Sequence, residues 1–151
     1  EEAAPYLLER AQMYMNNDQA RNAMLDYDAY YKAVNGQVND LFYYYREQAA
    51  LKARQYQRAL DDIVKAIELS PKDLTYRAEH AVVNLRVGRY EESMKILNEI
   101  LKDEPKYGEA YRLLGLCQIQ LKKTDEACGN FNKAKELGDP NVDELIKKYC
   151  K

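Results

Sequence analysis

The sequence contains no tryptophan, one histidine, six glycines and four prolines among 151 residues. Residues that break helices are therefore scarce, while Ala, Leu, Lys and Glu are plentiful, and this composition favours an all-helical protein. No apolar run approaches the roughly 20 residues that span a bilayer, so we expect no membrane span. The 23 basic and 25 acidic residues give a net charge of −2. With no basic excess, we expect no binding to nucleic acid.

The residue patterns that catalysis and metal binding usually require are also missing. A single histidine, His80, excludes most mechanisms that depend on imidazole, and its position on a helix suits packing. The three cysteines form no Cys-x-x-Cys motif, and no glycine-rich loop is present to hold a phosphate. We therefore predict no enzymatic activity, no cofactor and no metal site.

What the sequence does contain is an internal repeat with a period of 34 residues. Small residues recur at that period, and large apolar residues recur four positions after them. The two sets are Ala59, Ser93 and Ala127, then Ile63, Leu97 and Phe131. Small side chains let two helices approach closely, and the larger ones fill the space beside that contact. Pro71 and Pro105 recur at the same period and mark the ends of helical hairpins.

These columns resemble the tetratricopeptide-repeat (TPR) family, whose 34-residue unit is a helix–turn–helix. The clearest copy is AYRLLGLCQIQLKKTDEACGNFNKAKELGDP, residues 110–140, in which Tyr111, Leu114 and Gly115 match the pattern of the first helix. RYEESMKILNEILKDEP and QYQRALDDIVKAIELSP match the second half of the unit. The resemblance implies an all-α fold, an α-solenoid wound as a right-handed superhelix.

We divide the chain, as one TPR domain over residues 1–151, into four repeats. Their bounds are residues 4–37, 40–73, 74–107 and 108–141. The first repeat is the weakest match, and its link to the second is two residues longer than the period. In the second, Arg46 and Glu47 occupy positions where the family has Leu and Gly, which leaves the register of that helix open by a residue or two.

A ninth helix, residues 140–150, is predicted to cap the last repeat. Asp139 suits an N-cap and Pro140 a first helical position, and the residues that follow carry an apolar stripe. A solenoid needs such a cap because its last repeat has no neighbour. The N-terminus shows no polar cap, which suggests the hypothesis that further repeats precede Glu1 in the full-length protein.

The three cysteines allow two interpretations. Free cysteine is often a small buried residue, and all three suit that role. Alternatively, Cys128 and Cys150 lie equally far from Asp139 on two antiparallel helices, and facing positions can meet the distance that a disulfide requires. The pair is also similar to the Tyr-Cys ending of exported bacterial TPR proteins. A bridge implies the periplasm or another oxidising compartment, and free thiols imply the cytoplasm. Cys117 is expected to be buried.

By resemblance, the first helix of each TPR unit lines a concave groove that binds a protein or peptide. Counting the family's groove positions in the last three repeats gives a predicted contact set, in which apolar side chains would contact the ligand and the two arginines would hold a carboxylate or a carbonyl. The set is Tyr44, Gln48, Ala78, Val82, Arg86, Arg112, Leu116 and Gln120. The Lys/Asn/Arg clamp with which some TPR domains bind chaperone tails is not reproduced, so we do not predict that ligand.

Two classes of function remain open. The first is a protein-interaction scaffold with a peptide or protein partner in the groove. The second is a structural section of a longer repeat protein, or a module that forms homo-oligomers through its N-terminal end. The two differ in whether substitutions in the groove abolish binding.

Overall fold

The computed structural model describes residues 4–151, which fold into α-helices without a β-strand. The helices are α1 Ala4–Asn16, α2 Ala20–Ala33, α3 Asp40–Lys52, α4 Tyr56–Leu69, α5 Leu74–Arg86, α6 Tyr90–Asp103, α7 Gly108–Gln120, α8 Thr124–Glu136 and α9 Asp143–Tyr149. The chain forms two compact units, one up to Tyr76 and one from Arg77 onward. In the first, α1 packs on α2, α2 on α3 and α3 on α4, and in the second α6, α7, α8 and α9 pack in the same consecutive order.

The packing follows the columns that the sequence predicted. The small-residue column Ala23, Ala59, Ser93 and Ala127 is fully buried, and so are Ile63, Leu97 and Phe131 in the column of large side chains. The backbone repeats as well, because a left-handed residue lies five positions before each small residue. These residues are Asp18, Arg54, Gly88 and Lys122. The all-α helical-repeat fold expected from the sequence is therefore confirmed.

The second repeat departs from the family pattern through a buried ion pair. Arg46 donates to both carboxylate oxygens of Asp62 at 2.8 and 2.9 Å, and the two side chains are only 12% and 6% exposed. Arg10 makes the same bidentate pair with Asp26 in the first repeat, at 2.7 Å for each bond. The Arg that replaces the family's Leu thus has its partner on the following helix, at the same sequence spacing in both repeats.

The capping helix is shorter than the sequence predicted. It begins at Asp143 with Val142 at the N-cap, rather than at Pro140 after Asp139. The Asp139 carboxylate instead accepts a bond from the backbone N–H of Asn141 at 2.7 Å, and a second from Arg112 at 3.0 Å. A carboxylate that closes a turn two residues ahead holds those residues out of a helix, which explains the later start.

The contact between α7 and α8 depends on Gly115. A Cβ atom built there would lie 2.3 Å from the ring of Phe131, which is fully buried. We predict that Gly115→Ala lowers the free energy of unfolding by about 1–3 kcal/mol, although Ala favours a helix over Gly. Chemical denaturation measures this. Gly129→Ala is the matched control, because a Cβ there would meet nothing within 4 Å, and this change should raise stability by up to about 1 kcal/mol.

A compensating variant tests the same contact. Ala81 and Leu97 occupy the positions of Gly115 and Phe131 in the third repeat. We therefore expect Phe131→Leu to recover much of the stability lost in Gly115→Ala. Equal stabilities for Gly115→Ala and Gly129→Ala would contradict the close approach of the two helices.

Candidate functional site

The first unit contains a cleft whose surface is rich in aromatic side chains. Its volume is about 770 Å³, within the range of roughly 300–1,000 Å³ that is usual for ligand sites. Residues from α1, α2, α3 and the α2–α3 loop line this aromatic cleft. They are Leu8, Gln12, Tyr27, Tyr30, Gly36, Gln37, Val38, Asn39, Leu41, Phe42 and Tyr45.

Phe42 is the central ring of the cleft. Tyr30 stacks on it with ring centroids 5.6 Å apart and planes inclined by 29°, and Tyr27 meets it edge-on at 5.8 Å and 87°. Phe42 and Tyr27 are almost fully buried. Asn39 fixes the start of α3, since its side-chain oxygen accepts from the backbone N–H of Phe42 at 3.0 Å. The aromatic surface is therefore held in place by packing before any ligand arrives.

Apolar and uncharged polar groups form the accessible part of the cleft. Leu41 is 46% exposed and Tyr45 43%, so both large side chains present apolar surface at the cleft. The polar members of the lining are phenol hydroxyls and the carboxamides of Gln12, Gln37 and Asn39. Burial, with Tyr45 as a further cause, raises the pKa of Tyr27, so this hydroxyl keeps its proton at neutral pH. No lining residue carries a charge.

Charged groups close to the cleft are engaged with one another. The Arg46 guanidinium lies 5.1 Å from the centroid of the Phe42 ring and 4.8 Å from that of Tyr31. It binds Asp62 and also approaches Asp28 at 3.4 Å, and Asp28 accepts a further bond from Arg58. The network therefore supports the rings but does not place a charge in the cleft lining.

The predicted contact set is distributed over three helices. Tyr44 and Gln48 lie on α3, where both are half-buried. The Tyr44 ring is 5.7 Å from that of Tyr45 and 5.3 Å from that of Tyr76. On α5, Val82 is half-buried and Arg86 is exposed.

Three members of that set have roles in packing. Ala78 is 2% exposed, so its methyl group lies in the core and has little surface to offer a partner. Leu116 packs against the core cluster that contains Phe131. Arg112, assigned to a ligand carboxylate, is 16% exposed and instead binds Asp139 at 3.0 Å and Glu109 at 3.7 Å. Gln120, at the end of α7, is exposed.

None of the eight predicted contact residues lines the aromatic cleft. Applying the same groove positions to the first repeat would have added Leu8 and Gln12, which lie five and nine residues into it. The tyrosine-rich segments of α2 and α3 were a second signal. The sequence also did not indicate that Tyr27 and Tyr30, on the second helix of the repeat, contribute to the wall.

At the C-terminal end, Cys128 and Cys150 form a disulfide with their Cα atoms 5.7 Å apart. The bond joins α8 to the end of α9 beside a buried cluster of Ala127, Phe131, Ala134 and Val142. Cys117 is a buried free thiol whose Sγ lies 3.5 Å from the Ser93 hydroxyl.

Reactive groups are otherwise dispersed over the described part of the chain. Within residues 4–151, His, Cys, Asp and Glu side chains form no group of three that could hold a metal ion. Burial lowers the pKa of His80, which keeps the ring neutral. Among the helices from α1 to α9, none combines the length and hydrophobicity needed to cross a membrane.

Two family models match the chain. One, described as anaphase-promoting complex, cyclosome, subunit 3, matches residues 16–100, more than half of the chain. The other, described as tetratricopeptide repeat, matches residues 79–142.

Curated relatives match over about two thirds of the chain. Small glutamine-rich tetratricopeptide repeat-containing protein 2 of Mycosarcoma maydis is 30% identical over 99 residues, which cover 66% of this chain and 28% of the relative. Heat shock protein STI1 of Saccharomyces cerevisiae is 32% identical over 101 residues, covering 64% of this chain and 17% of the relative. The chain thus spans less than a third of the length of either protein.

Solved structures share the fold at low identity. YrrB, described as a TPR protein with an unusual peptide-binding site, has a TM-score of 0.77 and 19% identity, and the match covers 97% of this chain and 75% of YrrB. The first TPR of Spaghetti (RPAP3), bound to the HSP90 peptide SRMEEVD, has a TM-score of 0.63 and 19% identity, with 74% and 90% of the two chains covered.

Proposed function

Because the chain belongs to the tetratricopeptide-repeat family, we propose that it is a non-catalytic interaction module that binds an apolar segment of another protein in the aromatic cleft. The single observation that carries this proposal is the cleft itself, in which exposed Leu41 and Tyr45 border a wall of packed rings. Exposed apolar side chains beside a cavity favour a ligand that removes them from water.

The rigidity of the cleft supports binding. Phe42, Tyr27 and Tyr30 are held by mutual ring contacts, so a ligand does not have to order them. Such preorganisation lowers the entropy cost of association. Two structural neighbours are described with a peptide-binding site or a bound peptide, and this agrees with a peptide as the class of ligand. Tyr44 and Gln48 in the first unit, and Val82, Arg86 and Gln120 in the second, remain candidate contacts for a partner.

Self-association is a second candidate function, favoured by a separate observation. Met13 on α1 is 62% exposed and Leu25 on α2 is 67% exposed. These side chains do not line the aromatic cleft. A homo-oligomer formed through the N-terminal helices α1 and α2 would bury these side chains, whereas a peptide in the cleft would not.

We also propose that the protein works in an oxidising compartment, such as the periplasm. The Cys128–Cys150 disulfide supports this, because such bonds persist outside the reducing cytosol.

Selection of peptides from a phage-displayed random library tests the interaction module. We expect selected peptides to bind Tyr45→Ala at least tenfold more weakly than the unaltered chain, because truncating an aromatic anchor costs about 2 kcal/mol or more. Leu69→Ala is the matched control, since Leu69 is 55% exposed on α4 and lies outside the cleft. Peptide binding that is insensitive to Tyr45→Ala would place the site elsewhere. Self-association would be favoured if no peptide bound, if the size of the unaltered chain in solution grew with its concentration, and if Leu25→Glu abolished that growth.

A further inference from the structure

We propose that the aromatic cleft binds a proline-rich segment in the polyproline II conformation. This inference rests on the proposed function and names the class of its ligand. Three properties of the cleft support it: the absence of charge, the flat preorganised rings, and polar groups suited to donating hydrogen bonds.

The absence of charge excludes ligands that are recognised by their ionic groups. An acidic tail needs guanidinium or ammonium donors in the site, and the lining contains neither. Arg46 is the cation behind the rings, and it is bound to Asp62 through both nitrogens of its fork. The ligand side chains that enter the cleft should therefore be neutral and apolar.

Tyr30 and Tyr45 offer aromatic surface of the kind on which proline packs. Tyr30 is half-buried and held by stacking on buried Phe42, within 29° of parallel, and Tyr45 is 43% exposed. Grooves lined by aromatic residues recognise polyproline II segments because such a helix is already extended and ordered before it binds. A rigid ligand and a rigid cleft together minimise the entropy lost on binding.

The polar groups match the hydrogen bonds that such a ligand leaves open. A polyproline II segment has no internal hydrogen bonds, and its prolines have carbonyls but no N–H. It therefore needs donors from the protein. The phenol hydroxyls can donate, and Asn39 uses its side-chain oxygen to accept from Phe42, which leaves its NH₂ group to donate to the ligand.

Direct binding of synthetic peptides tests the proposal. The probe is a fluorescein-labelled peptide made of four Pro-Pro-Leu triplets, and its matched control has Ala in place of every Pro. A third probe is the acidic sequence SRMEEVD. We expect the proline peptide to bind at least tenfold more tightly than the alanine peptide, with an affinity that does not change between low and high salt, because no ion pair forms.

Variants connect that binding to the cleft. Tyr45→Leu should weaken binding of the proline peptide at least tenfold, since it removes a ring but keeps an apolar side chain. Tyr30→Phe keeps the ring stacked on Phe42 and removes one donor, so a loss of roughly three- to tenfold is expected. Leu69→Ala should bind as the unaltered chain does. Circular dichroism and thermal unfolding establish that each variant is folded.

The outcomes separate this inference from the function on which it rests. Equal binding of the alanine and proline peptides, still weakened by Tyr45→Leu, would overturn the proline ligand but leave an apolar peptide site. If SRMEEVD bound more tightly than the proline peptide and its binding weakened with salt, the ligand would be neither neutral nor proline-rich, and this inference would be overturned. If binding of none of the synthetic or phage-selected peptides depends on Tyr45, the cleft is not the site and both proposals fail.

Discussion

Arg46→Leu is expected to lower the free energy of unfolding by about 3–5 kcal/mol, the usual cost of removing one partner from a buried ion pair. The change leaves the Asp62 carboxylate, 6% exposed, without the guanidinium that binds both of its oxygens. It also removes the cation that lies 4.8 Å from the centroid of the Tyr31 ring. Urea denaturation followed by circular dichroism measures the loss.

A double variant distinguishes the stranded charge from simple loss of packing. In the fourth repeat, Leu114 and Asn130 occupy the positions of Arg46 and Asp62. Arg46→Leu combined with Asp62→Asn copies that pair, and should recover at least half of the lost stability because a neutral amide then replaces the carboxylate that lost its partner. Lys65→Ala, which breaks an exposed pair with Glu68 on the same helix, should leave unfolding unchanged within error. A double variant as unstable as Arg46→Leu would contradict the ionic explanation.

The sequence predicted the helical repeat well because packing imposes it on residue size. The helices can approach only if the residues at their contact are small, and larger side chains must fill the space beside it. The small residues are Ala59, Ser93 and Ala127, and the large ones are Ile63, Leu97 and Phe131. The 34-residue period can therefore be recognised in the sequence. The turns between helices are less visible. Of the four left-handed residues at equivalent turns, only Gly88 is a glycine, so residue type alone does not mark the bends at Asp18, Arg54 and Lys122.

The ion pairs show where a single column is misleading. Taken alone, Arg46 is a departure from the family pattern. Arg46 with Asp62 and Arg10 with Asp26, however, form a second repeated feature, because each pair is 16 residues apart in the sequence. That spacing could have been found in the sequence. The start of α9 could not, because the Asp139 side chain can cap a helix or close a turn, and its bond to Arg112 comes from a distant helix.

The candidate site was only partly predictable, for a geometric reason. Groove positions counted along one helix describe one wall of a cleft, while Tyr27, Tyr30 and the loop before Asn39 supply others. Positions on the same helical face also differ in exposure. Ala78 is buried and Arg86 is exposed, although both were assigned to the groove. Which of them is accessible depends on the side chains of neighbouring helices.

Replacing both Cys128 and Cys150 by serine is expected to reduce stability at the C-terminal end by roughly 3 kcal/mol, because the bond closes a loop with a sequence separation of 22 and thereby limits the unfolded chain. The helix that it ties down, α9, has only seven residues, and the cluster that it covers includes fully buried Phe131 and Val142. A short terminal helix opens locally before the rest of the chain unfolds. Amide hydrogen exchange at Ile146 and Cys150 therefore reports the loss more directly than global denaturation.

Reduction provides the matched control for the disulfide. Adding reductant to the unaltered chain should bring exchange in α9 to the rate of the double serine variant, while the same reductant should leave that variant unchanged, although both proteins retain the Cys117 thiol. Thiol labelling of the denatured, unreduced chain should then modify only Cys117 of the three cysteines. Labelling of all three would mean that the bond does not form, and it would then no longer support an oxidising compartment. Slow exchange that persists after reduction would mean that apolar contacts of Leu145, Ile146 and Tyr149 hold α9 without the bond.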